Sequence, residues 1–142
     1  MKVVFDTNLL ASGIVGFRKP DSTPGQLLRA WRDGAFELAV SGHILTELVR
    51  TLSKPYFSRR ISEERLEALV STLTKRATLA RVTQQVRGVA THPEDDVVLA
   101  TAVSASADYL VTGDGPLQEL RSYQGVQIVS PRQFVEILGE QV

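Results

Sequence analysis

The run Val3-Val4-Phe5 constrains the fold most, because three bulky apolar residues follow one another and stop abruptly at Asp6. Successive side chains of a strand point to opposite faces, so a strand without polar alternation has to be covered on both sides. The parallel sheet of an α/β domain meets that condition, since its crossover helices lie on both faces. A second such run, Tyr109-Leu110-Val111-Thr112, ends in Gly113-Asp114-Gly115, again with an aspartate at the carboxyl end. Ligands of open α/β sheets bind outside those strand ends. Asp6 and Asp114 are therefore placed for chemistry, although an acid after a strand can equally cap the segment that follows.

The remaining elements fit the same class. Gly, Ser and Pro between Ala11 and Pro24 predict a loop with at most one helical turn, with Arg18 and Lys19 just past the first acid. Leu27, Leu28, Ala30 and Trp31 have helical spacing, Asp33-Gly34 supplies a stop, and Phe36 to Val40 predicts a second strand. Ser41 is a suitable N-cap for a helix from about Gly42 to Ser53. On that helix Ile44, Leu45, Leu48, Val49 and Leu52 share one arc, with Glu47 at its margin. Tyr56 to Arg60 reads as a polar connection, and Ser62 opens a helix with Leu66, Leu69, Val70 and Leu73 as its apolar stripe, the two helices forming a small arm. Leu79 to Val82 predicts a third strand, Gln84 to Ala90 a loop, and Val126 to Val129 a last strand. Ser130-Pro131 then opens a closing helix.

Glu94, Asp95 and Asp96 open a helix that is apolar almost all round. The helix macrodipole accounts for one or two acids in a first turn, and three exceed that need. The spacing leaves Asp95 and Asp96 equal candidates to join Asp6, Glu47 and Asp114 at the edge of the sheet. Two carboxylates about 4 Å apart repel by about 4 kcal/mol at an effective dielectric near 20, so such a cluster calls for a cation. The chain has no cysteine and only two histidines, His43 and His92, so the donors would be oxygen. Oxygen donors suit Mg2+, with Mn2+ as the alternative, and these ions serve attack of water on a phosphodiester.

Length and charge add bounds. At 142 residues the chain fits one domain, 1–142, and with no membrane-spanning run or leader pattern it reads as cytoplasmic. The formal net charge of zero is a cancellation. Residues 50–87 carry nine basic and three acidic side chains, whereas residues 88–142 carry two and eight. A basic segment beside an acidic one suits a protein that holds a polyanion near an acidic pocket, and Lys54, Arg59 and Arg60 are the candidate contacts.

Phe5-Asp6-Thr7-Asn8, the helix carrying Glu47, the pattern Asp96-Val-Val-Leu-Ala100-Thr-Ala102 and Leu110-Val-Thr-Gly-Asp114 resemble the ordered acidic motifs of the PIN domain, over nearly the whole chain. The likeness is greatest to the bacterial and archaeal group of toxin components related to the VapC toxins. It implies a three-layer fold with a parallel sheet flanked by helices, and a magnesium-dependent endoribonuclease acting as the toxin of a type II toxin–antitoxin pair. It further implies RNA as substrate, an antitoxin protein as partner, and a homodimer. Position by position, Asp6, Glu47, Asp96 and Asp114 match the metal-binding acids, the aspartate-to-alanine spacing favouring Asp96 over Asp95. Asn8 and Thr112 match supporting polar positions, with Asp95 beside them. Where similar sequences often begin the acidic stretch with aspartate, this chain has His92. Two alternatives are a non-catalytic RNA- or protein-binding PIN module and a phosphotransfer domain of the haloacid dehalogenase type. The latter wants a second aspartate where Asn8 stands and a lysine near the later acids, and no lysine follows Lys75.

Overall fold

Val3, Val4 and Phe5 are all buried in β1 (Lys2–Phe5), so both faces of this strand are covered, as its unbroken apolar run requires. In the computed structural model, which describes residues 1–140, the chain continues as α1 (Thr7–Val15), α2 (Thr23–Arg32), β2 (Glu37–Val40), α3 (Gly42–Leu52), α4 (Pro55–Ser58) and α5 (Glu63–Arg76). There follow β3 (Thr78–Leu79), α6 (Pro93–Ser104), β4 (Tyr109–Val111), α7 (Gly115–Gln118), β5 (Ser122–Tyr123), β6 (Val126–Val129) and α8 (Pro131–Gly139). The strands form one sheet in the order β3-β2-β1-β4-β6-β5. Every pairing is parallel except β5 with β6. This is an α/β fold with a mostly parallel sheet flanked by helices. No helix among the described residues is long and apolar enough to cross a membrane.

The strand order places the site. From β1 the chain moves outward to β2 and β3, then returns to lay β4 on the opposite side of β1. The reversal leaves a crevice beyond the carboxyl ends of β1 and β4, the usual ligand position in such sheets. Phe5 is in register with Val111, and the Asp6 amide donates to the Val111 carbonyl at 3.2 Å. The residues after the two strands, Asp6 and Thr112, are thereby brought side by side. Below them Phe5, Phe36 and Phe134 pack with ring centroids 5.2 to 6.3 Å apart, and Tyr109 meets Phe134 at 5.7 Å.

Several local expectations are corrected. The first part of the segment expected to be a loop, Ala11 to Val15, is the second half of α1, which runs straight on from Asp6 and buries Leu9, Leu10, Ala11, Ile14 and Val15, while residues 16–22 form the expected turn region. Its small residues serve close packing. A β-carbon on Gly25 would lie 2.0 Å from the Gly16 carbonyl oxygen, so α2 comes too near the end of α1 for a side chain there. The connection at Tyr56 contains α4, led by Pro55 at its first position. The third strand is shorter and earlier than expected, and β5 joins as an antiparallel edge. Val49 lies outside the buried face of α3, 60% exposed. No two-helix arm forms, since α3 packs on α1 within the main body while α5 fully buries only Leu73.

Candidate active site

Three of the four acids at the crevice, Asp6, Asp95 and Asp114, are set by the start of a helix. Asp6 is the N-cap of α1, its Oδ1 accepting from the Leu9 amide at 2.8 Å. Asp114 caps α7 in the same way, accepting from the Leu117 amide at 2.9 Å. Capping is therefore a real duty of both positions, and it takes one oxygen of each. Thr112 ties the pair together: its buried hydroxyl donates to Asp6 Oδ2 and accepts from the Asp114 amide. Asp95 lies in the first turn of α6, and Glu47 stands half-buried on the margin of α3, where Arg50 donates to it at 2.9 Å.

These four carboxylates line one cleft of about 640 Å³, together with Thr7, Asn8, Ser12, His43, Lys54, Thr51, His92 and Glu94. Burial, opposed by the hydrogen bonds from Thr112 and Leu9 and reinforced by the charge of Asp114, holds the Asp6 carboxyl above the usual aspartate range. Asp95 is raised too, first by partial burial and then by the charges of Asp114 and Asp6. Asp6, Asp95 and Asp114 thus feel one another across the cleft. Among the described residues, no three His, Asp or Glu side chains are gathered into a group that could hold a metal ion as they stand. Mutual repulsion is a sufficient reason for acids that share a cleft to stand apart.

Asp96 is not among the residues that line the cleft, contrary to the expectation that put it there ahead of Asp95. It is 8% exposed, and its carboxylate accepts from the amides of Gly88, Val89 and Ala90 at 2.9, 3.1 and 2.7 Å. These bonds fold the loop before α6 against the helix. Asp95, one residue earlier and about 100° round the helix, faces the cleft in its place. Asn8 and Thr112 lie where expected, Asn8 exposed on the cleft wall and Thr112 buried beneath it. Lys54 lines the cleft, whereas Arg59 and Arg60 are exposed outside it. Both histidines line the cleft, His92 from the position where similar sequences often have aspartate and His43 without any sequence signal beyond its rarity.

A mostly parallel sheet whose switch point opens into an acid-lined cleft defines a class of α/β proteins with their candidate site at the strand ends. Within that class the chain belongs to the PIN domain family, whose model matches residues 2–115. Solved structures similar to it include VapBC2 from Rickettsia felis bound to a DNA fragment from their promoter, at 15% identity and a TM-score of 0.60, covering 92% of this chain and 98% of that one. Another is Mycobacterium tuberculosis VapC20, a Sarcin-Ricin loop cleaving toxin, at 16% identity and a TM-score of 0.56, covering 86% and 97%. At such identities the likeness is one of fold. No curated sequence matches the chain significantly. Family membership sets aside the haloacid dehalogenase alternative.

Proposed function

We propose that the protein is a metal-dependent endoribonuclease, the toxin of a type II toxin–antitoxin pair, with residues 1–142 working as one domain. The observation that carries this reading is the single cleft lined by Asp6, Glu47, Asp95 and Asp114 at the switch point of a PIN sheet. The family and the two VapC-type structural neighbours support it, one of them a toxin that cleaves the Sarcin-Ricin loop. An antitoxin protein and a second copy of the chain are the partners that go with it.

The donor chemistry fits Mg2+, or Mn2+: all four acids offer hard oxygen, and a cation between Asp6, Asp95 and Asp114 would offset the burial, and the smaller mutual repulsion, that raise Asp6 and Asp95. Those three acids and Glu47 would hold it, and when bound it supplies water activation and charge stabilisation at the phosphodiester. The chain's own groups do the positioning. Thr112 and the first turns of α1 and α7 fix the directions of Asp6 and Asp114. Lys54, His43 and Asn8 line the same cleft and can donate to phosphate oxygens. Arg50 sits on Glu47 from the solvent side and limits how freely that acid moves.

The test is cleavage of single-stranded and structured RNA with Mg2+, with EDTA, and with Asp114→Asn. Cleavage lost in both controls supports the reading, and cleavage that survives both would belong to another enzyme. Metal binding without any cleavage would instead favour the non-catalytic RNA- or protein-binding module.

A further inference from the structure

We infer that Tyr56, on the short helix that opens at the cleft-lining Lys54, is a stacking platform for an unpaired nucleobase of the RNA. The inference rests on the ribonuclease reading and narrows its substrate to RNA that is single-stranded, or has a base turned out, beside the cut.

Tyr56 is 59% exposed, among the few large apolar side chains left open to solvent. Its ring is nonetheless held in place. The Arg60 guanidinium lies 3.8 Å from the ring centroid and also donates to the Tyr56 carbonyl at 2.5 Å, while Phe57 meets the ring edge-on at 4.9 Å. Phe57 is half-buried against the core, so it anchors the pair. Pro55 at the first helical position and the Lys54 N-cap set where the helix begins, and Lys54 lines the cleft two residues before Tyr56. From Leu48 to Ser62 the chain carries four basic side chains and no acid. An exposed aromatic ring wearing a guanidinium, in a stretch whose charged side chains are all basic and whose Lys54 lines the acidic cleft, matches the chemistry of single-strand binding. Bases stack on the rings and cations take the phosphates. An apolar protein partner would gain nothing from the surrounding positive charge.

The experiment uses a short unstructured oligoribonucleotide with one 2-aminopurine, and its abasic counterpart, titrated with the full chain in EDTA so that nothing is cut. The parent protein should quench the 2-aminopurine. Tyr56→Ala should bind the intact oligonucleotide about tenfold more weakly, and Tyr56→Phe, which keeps the ring, should bind like the parent. The dependence on salt should be the same for all three, because stacking neutralises no phosphate. The parent should bind the abasic strand as weakly as Tyr56→Ala binds the intact one. Unchanged affinity in Tyr56→Ala, equal loss in Tyr56→Phe, or a parent that does not quench would each overturn the platform. Cleavage of the same strand by the parent in Mg2+ is read separately: quenching without cleavage keeps the platform and removes the nuclease, and cleavage without quenching does the reverse.

Discussion

Asp95 and Asp96 are neighbours with opposite duties, and the difference is one of hydrogen-bond partners. Asp96 is buried under three amide donors, so Asp96→Asn sets an NH2 group among them and should lose about 1–3 kcal/mol of stability, with or without metal. Asp95 is only partly exposed, and partial burial first, then the charges of Asp114 and Asp6, disfavour its charged form. Asp95→Asn should therefore raise the stability of the metal-free protein slightly, by less than about 1 kcal/mol once solvent screening is counted. Mg2+ should raise the melting temperature of the parent, because a ligand stabilises only the state it binds, and Asp95→Asn should abolish that rise. Melting curves of the three proteins with and without Mg2+ check both outcomes. The gain also has a pH signature. A carboxyl raised in the folded state makes that state bind more protons, so its destabilising effect is absent below the ordinary value of 3.8 and grows as pH rises through the raised one. The stability difference between Asp95→Asn and the parent should appear across that window and stay constant above it. A difference that shrinks with rising pH would mean that Asp95 is held by a favourable partner instead.

At the scale of elements, what could be read in the sequence was whatever local chemistry decides. The strands β1 and β4 announced themselves by unbroken apolar runs, and Ser41 and Ser130 marked real N-caps. The loop expected at Ala11 failed because Ser12, Gly13 and Gly16 resemble loop punctuation, and only the approach of α2 gives them a reason inside a helix and at its end. Gly25→Ala tests that reason directly. Its β-carbon would meet backbone, which cannot rotate away, so a loss of about 1–3 kcal/mol in denaturant unfolding is expected. Of the acids that line the cleft, the positions of Asp6, Asp114 and Glu47 were legible from strand ends and the margin of a helical arc. Asp95 was undecided against Asp96, since three consecutive acids fill a first turn and only the loop that claims Asp96 leaves Asp95, with Glu94, to the cleft. The edge strand β5, two residues long, is below any periodic signal.

Across the whole molecule the charge asymmetry acquires a place. The acids gather at the switch point of the sheet, and the basic segment enters their cleft through Lys54, with Arg59 and Arg60 exposed beyond it. RNA binding should accordingly be steeply dependent on salt. Replacing Lys54, Arg59 and Arg60 with alanine should flatten the slope of log affinity against log salt by about 0.7 for each phosphate that is no longer neutralised, measured on a single strand. An unaltered slope would make these side chains a solvated face only. The central claim is that the cleft of Asp6, Glu47, Asp95 and Asp114 cuts RNA with a bound divalent ion. The most direct measurement is the single-turnover cleavage rate in Mg2+ of the parent, Asp95→Asn and Asp96→Asn, at a temperature where all three are folded. The parent should cut and lose all activity in EDTA, Asp95→Asn should fall by about 100-fold or more, as expected when an electrostatic contributor of several kcal/mol is removed, and Asp96→Asn should keep most of the rate. A parent whose cutting survives EDTA, or an Asp95→Asn that cuts normally while folded Asp96→Asn does not, would contradict it.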